Sequence, residues 1–154
     1  MSDSDRLDEQ FESAPSSEPE AHPSDRFRGD LSGEIVVVGP CASGKSTLAA
    51  RLIELGYRAR VVGQEHSEIG RLWRRHDPAL VIGLQASLAT VRSRRGREWS
   101  AAVYERQQRR LEPAMAAATV VLDTGELSAM ATLAAAVAAI REAGIHPVRG
   151  PAAK

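Results

Sequence analysis

Between residues 33 and 147, short apolar runs alternate with stretches whose apolar residues recur every three or four positions. The first run, GEIVVVG at 33–39, is continuous and ends at glycine, the pattern of a parallel strand buried on both faces. A helix is predicted over 44–55, with Leu48, Leu52 and Leu55 on one face and Gly56 as its terminating glycine. RARVVG at 58–63 reads as a second strand, and 68–76 as a short helix. ALVIGLQAS at 79–87 reads as a third strand, with Ser87 capping the helix that follows. Ser100 caps a longer helix to about 118, which Pro113 is expected to kink or split. TVVLD at 119–123 is a fourth strand, and a last helix spans about 128–143, closed by Gly144. Strands alternating with helices predict an α/β fold: a short parallel sheet with helices on both faces, in three layers. Ligands of such sheets bind beyond the carboxyl ends of the strands.

Charge changes the picture at the N-terminus. The 154 residues are formally neutral, but residues 1–30 carry nine acids against three arginines, net −6. The remainder is therefore net +6. Residues 1–30 are rich in Ser, Pro, Asp and Glu and poor in aliphatics, so they are expected to form a disordered acidic tail, either a plain solvated leader or an arm over a basic site. They read as neither a secretory signal nor an Arg-rich transit peptide. The expected folded domain is 31–147, with a flexible end at 148–154. No apolar run approaches the roughly 20 residues of a membrane span. Cys41 is the sole cysteine, which excludes an intrachain disulfide and fits a reducing cytoplasm.

The first strand runs straight into GPCASGKST at 39–47. Gly39, Gly44, Lys45 and Ser46 fill the Walker A pattern G-x-x-x-x-G-K-[ST], with a strand before it and a helix after it, as the motif requires. Its glycines let backbone N–H groups gather around a phosphate, and the helix N-terminus adds partial positive charge. Lys45 would reach the β- and γ-phosphates of ATP, and the Ser46 hydroxyl would hold Mg²⁺. The expected nucleotide-binding residues are Gly39, Pro40, Cys41, Ala42, Ser43, Gly44, Lys45, Ser46 and Thr47. The chain has 18 arginines and two lysines, and Lys45 is the internal lysine. A compact ammonium suits a phosphate nest where a guanidinium does not. Cys41, near a helix N-terminus, could be redox-sensitive, or simply sit at a tolerant loop position.

The chain contains no asparagine, hence no N-K-x-D guanine signature of GTPases, and no apolar run ending in Asp-Glu follows the loop. VVLD, ending at Asp123, has a Walker B look but lies on the last strand. The folded part resembles the nucleoside monophosphate kinase and shikimate kinase group of small phosphotransferases. The likeness rests on GPCASGKSTLAARLIELGY, on VIGLQASLATVRSRR and on AAATVVLDTGELSAMATLAAAV, which together cover most of 34–140. It implies that Arg92, Arg94, Arg95 and Arg97 lie in a lid closing over the phosphates, with Arg94 and Arg95 the expected catalytic pair. The alternative is a solvated helix face. It also implies that Thr124 and Gly125 pack the adenine.

The departures fall on the acceptor side. The paired aspartates that shikimate kinases carry after the second strand are replaced by VGQEHSEIG, and their Gly-Gly-Gly strand is missing. Glu65 is the acid nearest the strand end. It is the expected catalytic and Mg²⁺-holding carboxylate, able to accept a hydroxyl proton, although Glu65 and His66 could be an ordinary polar cap. His66 and His76 do not make a metal site, being ten residues apart with no cluster. Trp73 with Arg71, Arg74 and Arg75 could grip an anionic or aromatic acceptor, or Leu72 and Trp73 could simply pack into the core. WSAAVYERQQRR at 99–110 is basic and aromatic, but it carries an acid and no nucleic-acid motif, which argues against nucleic acid as a partner. The expected function is that of an ATP–Mg²⁺-dependent kinase of a small molecule or nucleotide, with an acceptor the sequence does not identify. The alternatives are a non-catalytic nucleotide-binding module and a simple ATPase. The sequence gives no sign of oligomeric state.

Overall fold

A computed structural model describes residues 33–148. The acidic tail at 1–30 and most of the end segment at 148–154 lie outside the described residues. The described residues form an α/β unit with a four-stranded parallel sheet and four helices. In chain order the elements are β1 (Ile35–Val38), α1 (Lys45–Glu54), β2 (Ala59–Val61), β3 (Leu80–Gln85), α2 (Leu88–Arg95), α3 (Ala101–Ala117), β4 (Val120–Asp123) and α4 (Ala129–Glu142).

The sheet order is β2-β1-β3-β4. Ile35 pairs with Ala59 on one side and Leu80 on the other, and Ile82 pairs with Val120. All four β1 residues are fully buried. Strand residues alternate between faces, so β1 feeds two cores. Ile35 and Val37 pack with Leu48 and Leu52 of α1 and Ala136 and Ile140 of α4. Val36 and Val38 pack with Leu111 and Ala114 of α3. This double burial is why the strand reads as an unbroken apolar run.

Local chemistry sets the helix starts. Ser87, Ser100 and Ser128 each accept a hydrogen bond from the backbone N–H three residues on. Each thereby satisfies one of the amide donors a helix N-terminus leaves open. Leu55 differs from expectation: it is the C-cap and stays partly exposed, while Leu48 and Leu52 face the core. Pro113 does not split α3, which runs as one helix through it. Leu111 and Ala114, on either side, are both fully buried and tie the two halves to the same sheet face.

The short helix expected over 68–76 does not form. Two 3₁₀ turns, Gln64–His66 and Leu72–Arg74, stand in this region instead. Gln64 is fully buried and binds the segment with its side chain, donating to the Ile69 carbonyl and accepting from the Trp73 N–H. Such side-chain bonds compete with a helical ladder, and Gly70 weakens it further. His76 and Asp77 then take left-handed backbone angles ahead of Pro78, which ends any helix there.

Candidate functional site

The loop between β1 and α1 begins at the carboxyl end of the central strand, and its two glycines are required for different reasons. A Cβ on Gly39 would lie 2.6 Å from Ser43 Oγ and 2.8 Å from the Leu84 carbonyl oxygen, so only glycine fits. Gly44 has open space around it but a φ of +94°, which side chains disfavour. Gly39→Ala is therefore expected to destabilise the fold by about 1–3 kcal/mol, because a backbone carbonyl has to move. The midpoint of urea unfolding measures this, and an unchanged midpoint would refute the close packing.

Gly44 is the N-cap of α1 and offers no side-chain cap, and no acid lies in the first turn. The helix start thus presents its amides and partial positive charge toward the loop. Ser46 and Thr47 lie exposed in this turn.

Lys45 folds back over the loop. Its Nζ donates to the carbonyls of Gly39 (2.8 Å) and Pro40 (3.0 Å) and lies 2.8 Å from Glu65 Oε2. The Lys45 side chain is 12% exposed and that of Glu65 2%, so the pair is screened little by solvent. Glu65 arrives through topology. β2 is the neighbour of β1, and the turn Gln64–His66 carries Glu65 past the strand end onto the loop. Asp123 ends β4, two strands from β1, and accepts instead from the Gly125 N–H at 2.8 Å.

Cys41 is buried in the loop and held by Gln107 of α3, which accepts from the Cys41 N–H (3.1 Å) and donates to its Sγ (3.2 Å). His66 Nε2 lies 3.3 Å from the same sulfur and 3.9 Å from Glu65 Oε1, with its side chain largely exposed. Both contacts use one ring nitrogen, so this is not a nucleophile–base–orienter arrangement. Among the described residues no three His, Cys, Asp or Glu gather as a metal cluster.

The two lid arginines expected to act as a catalytic pair, Arg94 and Arg95, separate. Arg94 crosses to the loop, donating to the Ala42 carbonyl (2.6 Å), the Thr124 hydroxyl (3.1 Å) and the Thr124 carbonyl (2.6 Å). Arg95 instead lies over the Trp99 ring, 5.6 Å from its centroid. Thr124 is buried and its hydroxyl donates to the Ser43 carbonyl (2.8 Å), which ties the β4 end to the loop. A cavity of about 410 Å³ opens beside the loop between α1 and α4. Ala42, Thr47, Arg94, Thr124, Leu127 and Leu133 contribute to its walls, and Gly125 does not.

Arg71 and Arg74 do not reach the loop. They line a cavity with Asp77, Leu80 and Thr119, where β3 and β4 begin, at the opposite end of the sheet. Trp73 lines the same cavity and packs, with Leu72, against the α3-side core. Gln107 and Gln64 escaped the sequence reading. A single Gln in the stripe 107, 111, 114 is the signal that could have found the first, and no local signal marks the second.

Tyr104 of α3 donates to the Ala86 carbonyl at 2.8 Å. Burial, and then the Asp123 charge, hold its hydroxyl pKa above the ordinary 10.0. The fold favours the neutral phenol, so this contribution is intact below pH 10.0 and is lost as pH rises beyond it. Stability followed above pH 10.0 is expected to fall less steeply in Tyr104→Phe than in the parent; equal slopes would refute it.

Among the described residues no helix is long and apolar enough to cross a membrane. No protein-family model matches the chain, and no curated protein matches it in sequence.

Proposed function

We propose that the described unit is a three-layer phosphate-loop domain of the nucleotide-binding kind, acting in the cytoplasm as a kinase. It would bind ATP–Mg²⁺ on residues 39–47 and transfer the γ-phosphoryl group to a small-molecule acceptor. The observation that carries this reading is the pairing of Lys45 with buried Glu65 at the uncapped start of α1, beyond the carboxyl end of the central strand. The fit of the loop to a triphosphate is supported by the space only glycine allows at Gly39 and by the open amides of the first helical turn.

In this reading Lys45 leaves the Gly39 and Pro40 carbonyls to neutralise the β- and γ-phosphates. The Ser46 hydroxyl would hold Mg²⁺, which when bound would neutralise charge on the phosphates. Glu65, released from Lys45, orients the acceptor hydroxyl and takes its proton; it is also the carboxylate that would help hold the metal. Arg94 is the cation that α2 brings to the loop, and Thr124 fixes it there. The cavity bounded by Leu127 and Leu133 accommodates the base. Arg95 is assigned no role.

ADP release from ATP–Mg²⁺ by the purified chain, with and without a metabolite extract, tests the proposal alongside Lys45→Ala. Acceptor-dependent release lost in the variant supports a kinase. Release indifferent to extract but lost in the variant identifies an ATPase. ATP binding with no release above the variant overturns the kinase reading in favour of a nucleotide-binding module.

A further inference from the structure

We propose that the end of the sheet away from the 39–47 loop holds a second ligand site, for an aromatic monocarboxylate, built on Arg71, Trp73 and Arg74. A cavity of about 490 Å³ opens there, where β3 and β4 begin. Leu80 and Val81 of β3 line it and are buried, and Pro78 and Pro113 line it with Trp73. Arg71 and Arg74 line it too, exposed and without an ion pair among the described residues. Trp73 Nε1 is buried with no hydrogen-bond partner. A donor shut off from water is held at a cost until an acceptor reaches it. His76 and Asp77 lead the chain to Pro78 at φ of 62° or more and about 50°, respectively +69° and +51°. Non-glycine residues in this region cluster at ligand clamps.

Charge and shape select the ligand. Asp77 is the acid that lines the cavity, so two arginines and one aspartate leave a charge of +1. One carboxylate neutralises it, and a phosphate dianion overshoots. Arg71 and Arg74 flank the 3₁₀ turn Leu72–Arg74, and the Arg74 N–H donates to the Arg71 carbonyl at 3.0 Å. A turn of this kind sets side chains three apart on one side, so both guanidinium groups converge on one anion. Their planar forks suit a carboxylate. The indole and the two proline rings offer flat apolar surface, which favours an aromatic ring over an aliphatic body. In the complex the Trp73 N–H donates to the carboxylate.

Benzoate is the probe, titrated into the full-length protein. Binding is read from the two indole N–H resonances, assigned with Trp99→Phe. The Trp73 resonance is expected to shift to saturation. Arg71→Ala and Arg74→Ala are each expected to weaken benzoate by about tenfold. Asp77→Asn is expected to tighten it by about threefold, an opposite sign that loss of folding cannot produce. Cyclohexanecarboxylate and phenyl phosphate are both expected to bind more weakly than benzoate at this resonance. A Trp73 resonance that benzoate leaves in place, or an affinity unchanged in both arginine variants, overturns the site. Cyclohexanecarboxylate binding as tightly as benzoate overturns the aromatic preference, and phenyl phosphate binding as tightly overturns the monocarboxylate.

Discussion

Glu65→Gln is expected to leave ATP affinity within about threefold of the parent while lowering acceptor-dependent turnover by about a hundredfold or more. The substitution keeps side-chain volume at a position that is 1% exposed, so packing of the Gln64–His66 turn persists. It removes the charge. Lys45 keeps its two loop carbonyls and remains free to swing to a phosphate. What is lost is a base beside the lysine, and an amide cannot take a proton from a hydroxyl. Calorimetric titration with ATP and a coupled ADP assay separate the two effects. Turnover within about tenfold of the parent would remove Glu65 from the chemistry and leave it a structural partner of Lys45.

Lys45→Ala is expected to act on both function and stability. ATP affinity should fall to the point that the ligand no longer raises the melting temperature. The fold itself should lose about 3 kcal/mol, because the change strands the Glu65 carboxylate in a nearly dry site. The double variant Lys45→Ala/Glu65→Gln should recover part of that stability, since no uncompensated charge remains, but none of the ATP binding. Urea unfolding of the four proteins closes the cycle. Additive losses would mean that the 2.8 Å contact carries little energy, and a retained thermal shift would exclude Lys45 as a phosphate ligand.

The strands were legible because β1 is buried on both faces, which forces an unbroken apolar run, and because β3 follows the same rule. The helix starts were legible because Ser87, Ser100 and Ser128 cap them with their own hydroxyls, a local event. The loop was legible because Gly39 and Gly44 answer local demands of space and dihedral angle. Strand order was not, and the site depends on it. Glu65 meets Lys45 because β2 lies next to β1, whereas Asp123, at the end of an equally strand-like run, lies two strands away. The segment 64–76 misled because its order comes from the Gln64 side chain, a long-reaching tie that a helical period does not encode. The arginines that first follow Glu65 in sequence include 71 and 74, which line a cavity at the far end of the sheet from the loop. Those on α3, some forty residues later, border its turn.

The strand order also governs how the chain must assemble itself. No two neighbours in this sheet can be joined by a hairpin, since all run parallel. Ile35 finds its first partner at Ala59 and its second at Leu80. On the ribosome the central strand therefore emerges with both edges open, and one edge stays open until the third strand has been made. Closure of these long loops precedes the contacts that reward it, a topology that folds slowly for its size. Until then the run Ile35–Val38 is an apolar segment with unpaired backbone, the form most prone to pair with another chain.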